Sequence, residues 1–311
     1  MMSQQVVTIV GGTGFVGRYV VKRLAAAGYT IRVISRHPDA ALHLKTAGSV
    51  GQIVLEGGDL ANPDSLIGKL DYSYAVINLA GILFESGRQR FDRLHAHGTE
   101  KLAQMAKAAG AERFVHVSAL GVDQAAGSHY ARSKMLGEKA VLAAFPEASI
   151  LRPSVIFGPE DQFFNQFAAM ACLAPALPLI GGGHTKFQPV YVGDVAKAVA
   201  ACLMRPETQG QIYELGGPHI YSFHEILEYI LRTIGRKRVL LPIPFPLAMF
   251  KAFFLELMPR PLLTRDQVKL LKHDNVVSPD ALTFADLGIA PTAVEIVVPE
   301  YLARFSKKAA A

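Results

Sequence analysis

Short apolar runs alternate with amphipathic stretches through the first half of the chain. The runs are rich in β-branched residues, as in residues 6–10, 30–34 and 114–117. Between them, stretches such as residues 16–27 and 94–109 repeat apolar positions with a helical period. Apolar strands that alternate with helices are typical of a parallel sheet that is covered on both faces. The pattern therefore predicts an α/β fold with a doubly wound parallel sheet.

The second half of the chain is less regular. Short strands are expected there, followed by helices that begin with capping boxes at Ser222 and Thr264. A chain of 311 residues is long for one compact core and short for two independent domains. We expect residues 1–160 to form the sheet domain and residues 161–311 a small C-terminal lobe, with residues 187–217 returning to the sheet.

Residues 239–259, VLLPIPFPLAMFKAFFLELMP, are the most apolar stretch of the chain. Pro242, Pro244 and Pro246 interrupt it, so no uninterrupted apolar run reaches the length of about 18 residues that a membrane span requires. We therefore predict no transmembrane segment, and a hydrophobic surface that makes a peripheral contact with a membrane or a membrane-associated partner.

Composition and charge narrow the range of partners and locations. The net charge is +6, a mild excess that favours anionic ligands or an anionic membrane face. No basic helix is interleaved with aromatic residues, so nucleic-acid binding is not expected. Cys172 and Cys202 lie in apolar sequence without the spacing of metal ligands, so neither a disulfide nor a metal site follows. Only five residues precede the first strand, which predicts a cytoplasmic protein without a signal peptide.

A glycine-rich turn follows the first predicted strand in the segment TIVGGTGFVGRYVV. Gly11, Gly14 and Gly17 are spaced as G-x-x-G-x-x-G between this strand and the first helix. Bare backbone N–H groups and the positive end of a helix dipole meet there, which suits a pyrophosphate. The turn predicts a dinucleotide-binding site that Thr13 and Phe15 also line, although glycine-rich turns also occur for structural reasons alone.

The end of the second strand indicates which dinucleotide is bound. An NAD-binding protein places an Asp or Glu there to accept a hydrogen bond from the ribose. This chain has Arg36 instead, whose guanidinium suits a 2′-phosphate, and Arg18 could add a second cation. We therefore predict that NADP(H) is preferred over NAD(H). The alternative is that both arginines are solvated surface charges.

Residues after the third and fourth strands complete the predicted nucleotide site. Asp59 and Leu60 follow the third strand, where the carboxylate can accept from the adenine amino group or simply cap a turn. Leu79, Ala80 and Gly81 end the fourth strand, where small residues let the backbone approach the ribose. Ligands of such sheets bind at these carboxyl ends.

A tyrosine and a lysine on one helix face are the candidate catalytic groups. Tyr130 and Lys134 lie four residues apart in HYARSKMLGEKAV, and Ser118 ends the preceding strand. The ammonium, helped by an oxidised nicotinamide, is expected to lower the phenol's pKa so that the phenol exchanges a proton with a substrate oxygen that Ser118 steadies. The alternative is that Lys134 only binds the ribose and Tyr130 only packs beside it. Arg152 and Pro153 are expected to form the floor of the substrate site near the nicotinamide.

These motifs resemble the short-chain dehydrogenase/reductase superfamily, and within it the atypical group related to the 39 kDa Rossmann-type accessory subunit of respiratory complex I and its bacterial relatives. The resemblance covers nearly the whole chain. It rests on GGTGFVGRYVV, ERFVHVSALG, SKMLGEKAV, LRPSVIFGPEDQFFNQFA, FQPVYVGDVAKAV and LLTRDQVKLLKHDNVV. It implies a Rossmann fold that holds NADP(H) without demonstrated turnover, with the lobe over the nicotinamide end.

Two departures from the catalytic pattern of the superfamily argue against dehydratase or epimerase chemistry and leave simple reduction open. Ala119 stands where many relatives have a second serine or threonine, and His95 replaces a helix asparagine; we expect His95 to be a partly exposed helix residue, with a proton shuttle as the alternative. The resemblance favours an accessory or assembly protein of a respiratory NADH:quinone oxidoreductase. The alternatives are an NADPH-dependent reductase of a hydrophobic carbonyl or quinone-like substrate, and a redox sensor that binds NADP and a regulatory protein.

Overall fold

A computed structural model describes residues 5–259 and 261–306 of the protein. Residues 1–4, on which the expectation about a signal peptide partly rests, lie outside the described residues. The strands are, in chain order, β1 (Val6–Val10), β2 (Thr30–Ser35), β3 (Ile53–Gly57), β4 (Ser73–Asn78), β5 (Arg113–Val117), β6 (Ser149–Pro153), β7 (Ile156–Phe157), β8 (Ala176–Ile180), β9 (Lys186–Phe187), β10 (Val190–Tyr191), β11 (Ile212–Leu215), β12 (Tyr221–Ser222) and β13 (Val239–Ile243).

The helices lie between these strands and in the C-terminal part of the chain. They are α1 (Phe15–Ala26), α2 (Thr99–Ala108), α3 (His129–Ala144), α4 (Phe164–Leu173), α5 (Val192–Met204), α6 (Phe223–Thr233), α7 (Phe245–Leu255), α8 (Arg265–Leu270) and α9 (Val294–Leu302). A π-helical segment over Asp92–Gly98 leads directly into α2. Within the described ranges, no helix is both long enough and apolar enough to cross a bilayer.

Seven parallel strands form the central sheet in the order β11-β6-β5-β4-β1-β2-β3. Helices α1 and α5 cover one face, where Val20 and Val199 join a core that includes Ile9. Helices α2 and α3 cover the other face, where Leu102 and Val141 pack in a second core. The predicted α/β fold with a doubly wound parallel sheet is confirmed. Strands that are buried on both faces explain why their sequences are continuously apolar.

The C-terminal part has its own core and also contributes to the central sheet. Phe164 of α4, Leu227 of α6 and Val298 of α9 belong to this separate core, next to the parallel pair formed by β8 and β13. Strand β11 adds to the sheet beside β6, and α5 packs against α1. The capping boxes predicted at Ser222 and Thr264 are both present at the starts of α6 and α8. The division of the chain at residue 160 stays a prediction.

Candidate functional site

The glycine turn after β1 is a cradle that side chains would fill. Gly11 has a φ of +85°, and a Cβ atom there would lie 2.8 Å from the backbone nitrogen of Ala80. A Cβ at Gly17 would collide with the carbonyl oxygen of Gly11, whereas Gly14 donates its N–H to that oxygen at 3.1 Å. The turn therefore brings backbone N–H groups to the start of α1 with no side chain in the way, which fits a bound diphosphate.

The loop after β4 lies against this turn and reaches the candidate catalytic lysine. Leu79 donates its N–H to the carbonyl of Val10 at 2.9 Å, and Ala80 donates to the side chain of Asn78 at 3.1 Å. A Cβ atom at Gly81 would lie 3.3 Å from the Lys134 Nζ atom. The structure therefore brings the predicted residues Leu79, Ala80 and Gly81 between the glycine turn and α3.

The two arginines predicted to bind a 2′-phosphate differ in their surroundings. Arg36 is exposed directly after β2, next to Ser35, whose hydroxyl lies 3.5 Å from that of Thr13. Arg18 instead forms an ion pair with Glu160 at 3.5 Å. This carboxylate competes with any phosphate for Arg18. Of the two arginines, Arg36 is therefore the more available to bind a phosphate.

Asp59, Leu60 and Phe15 are positioned mainly by the fold. The Asp59 carboxylate accepts the N–H of Ala61 at 3.0 Å and lies 3.3 Å from the Gln89 amide, an arrangement that stabilises its turn. Leu60 is buried in the core beneath α2. Phe15 begins α1 and is partly exposed, with its ring close to Gly158. Asp59 therefore fits the turn-capping interpretation at least as well as the adenine-binding one.

Helix α3 brings Tyr130 and Lys134 to the carboxyl end of β5. Ser128 caps the helix by accepting the N–H of Ala131, so Tyr130 lies in the first turn. Lys134 is buried, and its ammonium donates to the carbonyl of Val117 at 3.1 Å. The Ser118 hydroxyl, one residue further along, is buried and has no hydrogen-bond partner among the described residues. Such an orphaned hydroxyl is available to a ligand oxygen.

In the protein without nucleotide, burial is the main cause of the pKa shifts of Tyr130 and Lys134. It raises the pKa of the Tyr130 phenol to about 12 and lowers the pKa of the Lys134 ammonium to about 8. The neighbouring Glu138 opposes part of the change at Lys134. Burial is thus the cause of the raised phenol pKa in the protein without nucleotide, and the lowering expected from the ammonium together with an oxidised nicotinamide stays a prediction.

His95 is buried, and the prediction of a partly exposed helix residue is wrong. The π-helical segment turns its ring inward, where it meets the ring of Tyr130 edge to face at 5.4 Å between centroids. Its Nε2 accepts the N–H of Ile82 at 3.1 Å, so Nδ1 carries the proton and donates to the Ser133 hydroxyl at 2.9 Å. Burial, with Lys134 nearby, lowers the pKa of His95 to about 2. The ring is therefore a neutral support for Tyr130.

Arg152 belongs to an ion-pair network. Its guanidinium binds both oxygens of Glu138, at 2.7 and 3.0 Å, and also lies near Asp123 and Glu214. These carboxylates therefore engage the Arg152 guanidinium, which was expected to form part of the floor of the substrate site. Pro153, the last residue of β6, accepts the N–H of Leu120 and so holds the loop that follows Ser118.

Asp266 is a positioning residue that sequence reasoning missed. Its carboxylate accepts hydrogen bonds from the Ser128 hydroxyl at 2.7 Å and from the N–H groups of His129 and Tyr130 at 2.8 and 2.9 Å. The C-terminal part thereby caps the helix that carries the candidate catalytic pair. The sequence marks Asp266 only as part of the α8 capping segment, since its partners lie more than 130 residues away.

Asn275 makes a second link of this kind. Its side-chain oxygen accepts from the Ser154 hydroxyl at 2.6 Å, and its amide donates to the carbonyl of Leu120 at 2.9 Å. It therefore ties the C-terminal segment to the loop after β5. Nothing in the local sequence pattern around Asn275 predicts these contacts.

A parallel sheet with a glycine turn after β1 and a tyrosine–lysine pair on the helix after β5 defines a dinucleotide-binding protein of the short-chain dehydrogenase/reductase type. The chain belongs to the NAD dependent epimerase/dehydratase family, whose profile matches residues 7–216. The resemblance inferred from the motifs is confirmed at this level.

Curated relatives agree with this assignment, and a solved structure shares the fold. Over 314 residues, the chain is 38% identical to subunit 9 of the 1 alpha subcomplex of mitochondrial NADH dehydrogenase (ubiquinone) from Arabidopsis thaliana, covering 97% of this chain and 78% of that protein. It is 33% identical over 244 residues to a ceramide reductase from Caulobacter vibrioides, covering 78% and 74% of the two chains. A dTDP-glucose 4,6-dehydratase from Streptomyces venezuelae, solved with NAD, superimposes with a TM-score of 0.73 at 21% identity, covering 97% of this chain and 96% of that chain.

Proposed function

We propose that this protein holds NADP(H) in the glycine cradle and serves as an accessory or assembly protein of a respiratory NADH:quinone oxidoreductase. The observation that carries this proposal is the similarity to a mitochondrial NADH dehydrogenase subunit over 97% of the chain. That similarity includes the C-terminal part as well as the sheet, so it goes beyond a common nucleotide-binding fold. We further propose that the protein works in the cytoplasm at the inner face of the membrane.

The preference for NADP(H) is supported by the residues at the end of β2. Arg36 is exposed there, and β2 itself ends in Ser35 rather than in a carboxylate. A planar guanidinium forms paired, charge-assisted hydrogen bonds with a phosphate. The cofactor-binding residues of this proposal are those of the cradle and its neighbours: Gly11, Thr13, Gly14, Phe15, Gly17, Arg18, Arg36, Asp59, Leu60, Leu79, Ala80, Gly81, Tyr130, Lys134 and Pro153.

Slow or absent turnover is supported by the state of the candidate pair. With its pKa raised from the ordinary 10 to about 12, the Tyr130 phenol is a weaker proton donor to a substrate oxygen than an ordinary tyrosine is. His95 is neutral and its ring nitrogens are engaged by Ile82 and Ser133, so the ring is poorly suited to carry protons away from Tyr130. These features suit a nucleotide that stabilises the fold.

The second candidate is an NADPH-dependent reductase of a hydrophobic carbonyl or quinone-like substrate. The orphaned Ser118 hydroxyl beside Lys134 favours it, as does the 33% identity to a ceramide reductase. A bound nucleotide would supply hydride. Tyr130 would then donate its phenolic proton to the substrate oxygen, Ser118 would donate a hydrogen bond to the same oxygen, and the Lys134 ammonium would stabilise the resulting phenolate.

Nucleotide exchange and turnover separate the two candidates. The purified full chain is denatured and the released nucleotide is identified by mass spectrometry, and exchange of bound for labelled NADPH is then timed. The accessory role predicts NADP(H) that exchanges slowly and no NADPH oxidation with a panel of carbonyls and quinones. Turnover that Tyr130→Phe abolishes while NADPH affinity is kept would contradict the accessory role and support the reductase.

A further inference from the structure

Helix α7 buries small apolar residues and exposes large ones, the reverse of what is expected for a helix on the surface of a soluble protein. Ala248 and Ala252 face the body of the protein and are buried. Phe250, Phe253 and Phe254 point outward and are 63%, 48% and 53% exposed. A surface helix normally buries its large apolar side chains and presents polar ones to water. This arrangement indicates that another molecule or a membrane covers the exposed side of α7.

The exposed rings form a continuous surface. Phe254 contacts both Phe250 and Phe253, with ring centroids 5.1 and 5.4 Å apart. Exposed aliphatic side chains before and after them extend the surface along the helix and past its end. We call this surface the α7 face and define it by Leu247, Phe250, Phe253, Phe254, Leu257 and Met258.

The segment of the chain that contains the α7 face is rich in basic residues. Residues 236–273 contain eight Lys or Arg and two Asp or Glu, so this segment carries a net charge of +6, the same as the whole chain. Both carboxylates are engaged within the protein. Glu256 accepts hydrogen bonds from the backbone N–H and the guanidinium of Arg265, and Asp266 caps α3. Among the ion pairs of the described residues, Arg265 is the cation of this segment that has a carboxylate partner, and the segment keeps a net positive charge.

Apolar rings within a cationic segment fit an anionic lipid surface best. Lys251 lies among the exposed rings on α7 itself, and Arg265 sits 5.2 Å from the centre of the Phe253 ring. Such a surface inserts its rings at the headgroup boundary while its cations meet lipid phosphates. A second copy is a poor occupant, since a two-fold dimer through this face would bring two +6 segments together.

We propose that the α7 face docks the protein on an anionic lipid bilayer, with α7 lying in the plane of the membrane. Helix α7 has 11 residues, and Pro244 and Pro246 begin it, so it suits an interfacial position rather than a span. This inference goes beyond the proposed function, which would hold equally if the segment contacted only protein subunits. Nucleotide binding at the glycine cradle is a separate property.

Vesicle flotation of the full chain tests the inference directly. The protein is mixed with phosphatidylcholine vesicles that contain or lack phosphatidylglycerol, at low and high salt. We expect flotation with the anionic vesicles, weaker flotation at high salt because the charges are screened, and little with phosphatidylcholine alone. The double variant Phe250→Ser/Phe254→Ser is expected to lower binding by at least about tenfold, since two rings no longer leave water. Lys251→Glu is expected to lower it by about tenfold.

Matched variants control for changes in solubility and folding. Val50→Ser/Ile67→Ser removes two exposed apolar side chains from the sheet domain, and Lys45→Glu reverses a charge there; both should float like the wild type. NADPH affinity, measured on every variant, should be unchanged, which separates this test from that of the proposed function. Absence of flotation, or equal flotation of the α7 variant and its control, would overturn the inference. A dimer that Phe250→Ser/Phe254→Ser dissociates would overturn it in favour of a second copy.

Discussion

Replacing Gly11 by alanine tests two reasons why the turn requires glycine at this position. One is the positive φ angle, and the other is the close approach of the loop after β4. Gly11 has a φ of +85°, which costs an alanine about 1–2 kcal/mol. A Cβ there would also lie 2.8 Å from the nitrogen of Ala80 and 2.9 Å from the carbonyl carbon of Leu79. Reaching a normal separation of about 3.5 Å requires the loop after β4 to move by about 0.7 Å, and these atoms belong to backbone that cannot rotate away.

Gly28 provides a matched control for the positive φ angle alone. Its φ is +90°, and a Cβ atom there would meet nothing within 4 Å. Gly28→Ala should therefore lose about 1–2 kcal/mol of unfolding free energy and keep its NADPH affinity. Gly11→Ala should lose more stability than this. It should also bind NADPH roughly ten- to a hundredfold more weakly, which corresponds to one lost hydrogen bond to a charged phosphate.

Urea unfolding and calorimetric titration with NADPH measure the two quantities on the same preparations. The reasoning is refuted if Gly11→Ala binds NADPH as tightly as the wild type. It is equally refuted if Gly28→Ala loses as much affinity as Gly11→Ala, because the effect would then be general destabilisation.

Three further predictions follow from single side chains. Arg36→Gln should weaken NADPH binding by roughly tenfold or more and leave NADH binding unchanged, as competition titrations would show; an equal loss for both nucleotides would contradict the assigned role. Lys134 should make stability pH-dependent: its pKa in the folded chain, about 8, is below the ordinary 10.5, so the unfolded chain binds more protons between these values and the folded state gains stability as pH rises. The stability of wild type relative to Lys134→Met should therefore increase between pH about 8 and 10, and a flat difference in urea unfolding would count against it. Asp266→Ala should cost about 1–2 kcal/mol by uncapping α3, whereas Asp64→Ala at an exposed position should cost little; thermal unfolding that does not distinguish them would remove the capping role.

The sheet and the cradle were predictable because their signals are local. The strand from Val6 to Val10, the glycines at 11, 14 and 17, and the capping box at Ser222 each depend on a few neighbouring residues, and each is present in the structure. Periodicity and turn chemistry act over the same short distances.

Other features depend on contacts between distant parts of the chain. Burial of His95 follows from a π-helical segment packed against α3, where Ser133 and Ile82 engage the ring. Likewise, Arg18 meets Glu160, and Tyr130 is held by Asp266, across separations of more than 130 residues. One sequence read by local pattern does not contain these pairings, which determine the surroundings of the candidate site residues.

Titration of the full chain, freed of any copurified nucleotide, with NADPH and with NADH in a calorimeter tests the central claim most directly. The claim is that the cradle binds a dinucleotide and that Arg36 selects the form with a 2′-phosphate. The account predicts binding of both nucleotides, with NADPH at least about tenfold tighter, which is the value of one charge-assisted contact. Failure to bind NADPH, or a clear preference for NADH, would contradict it.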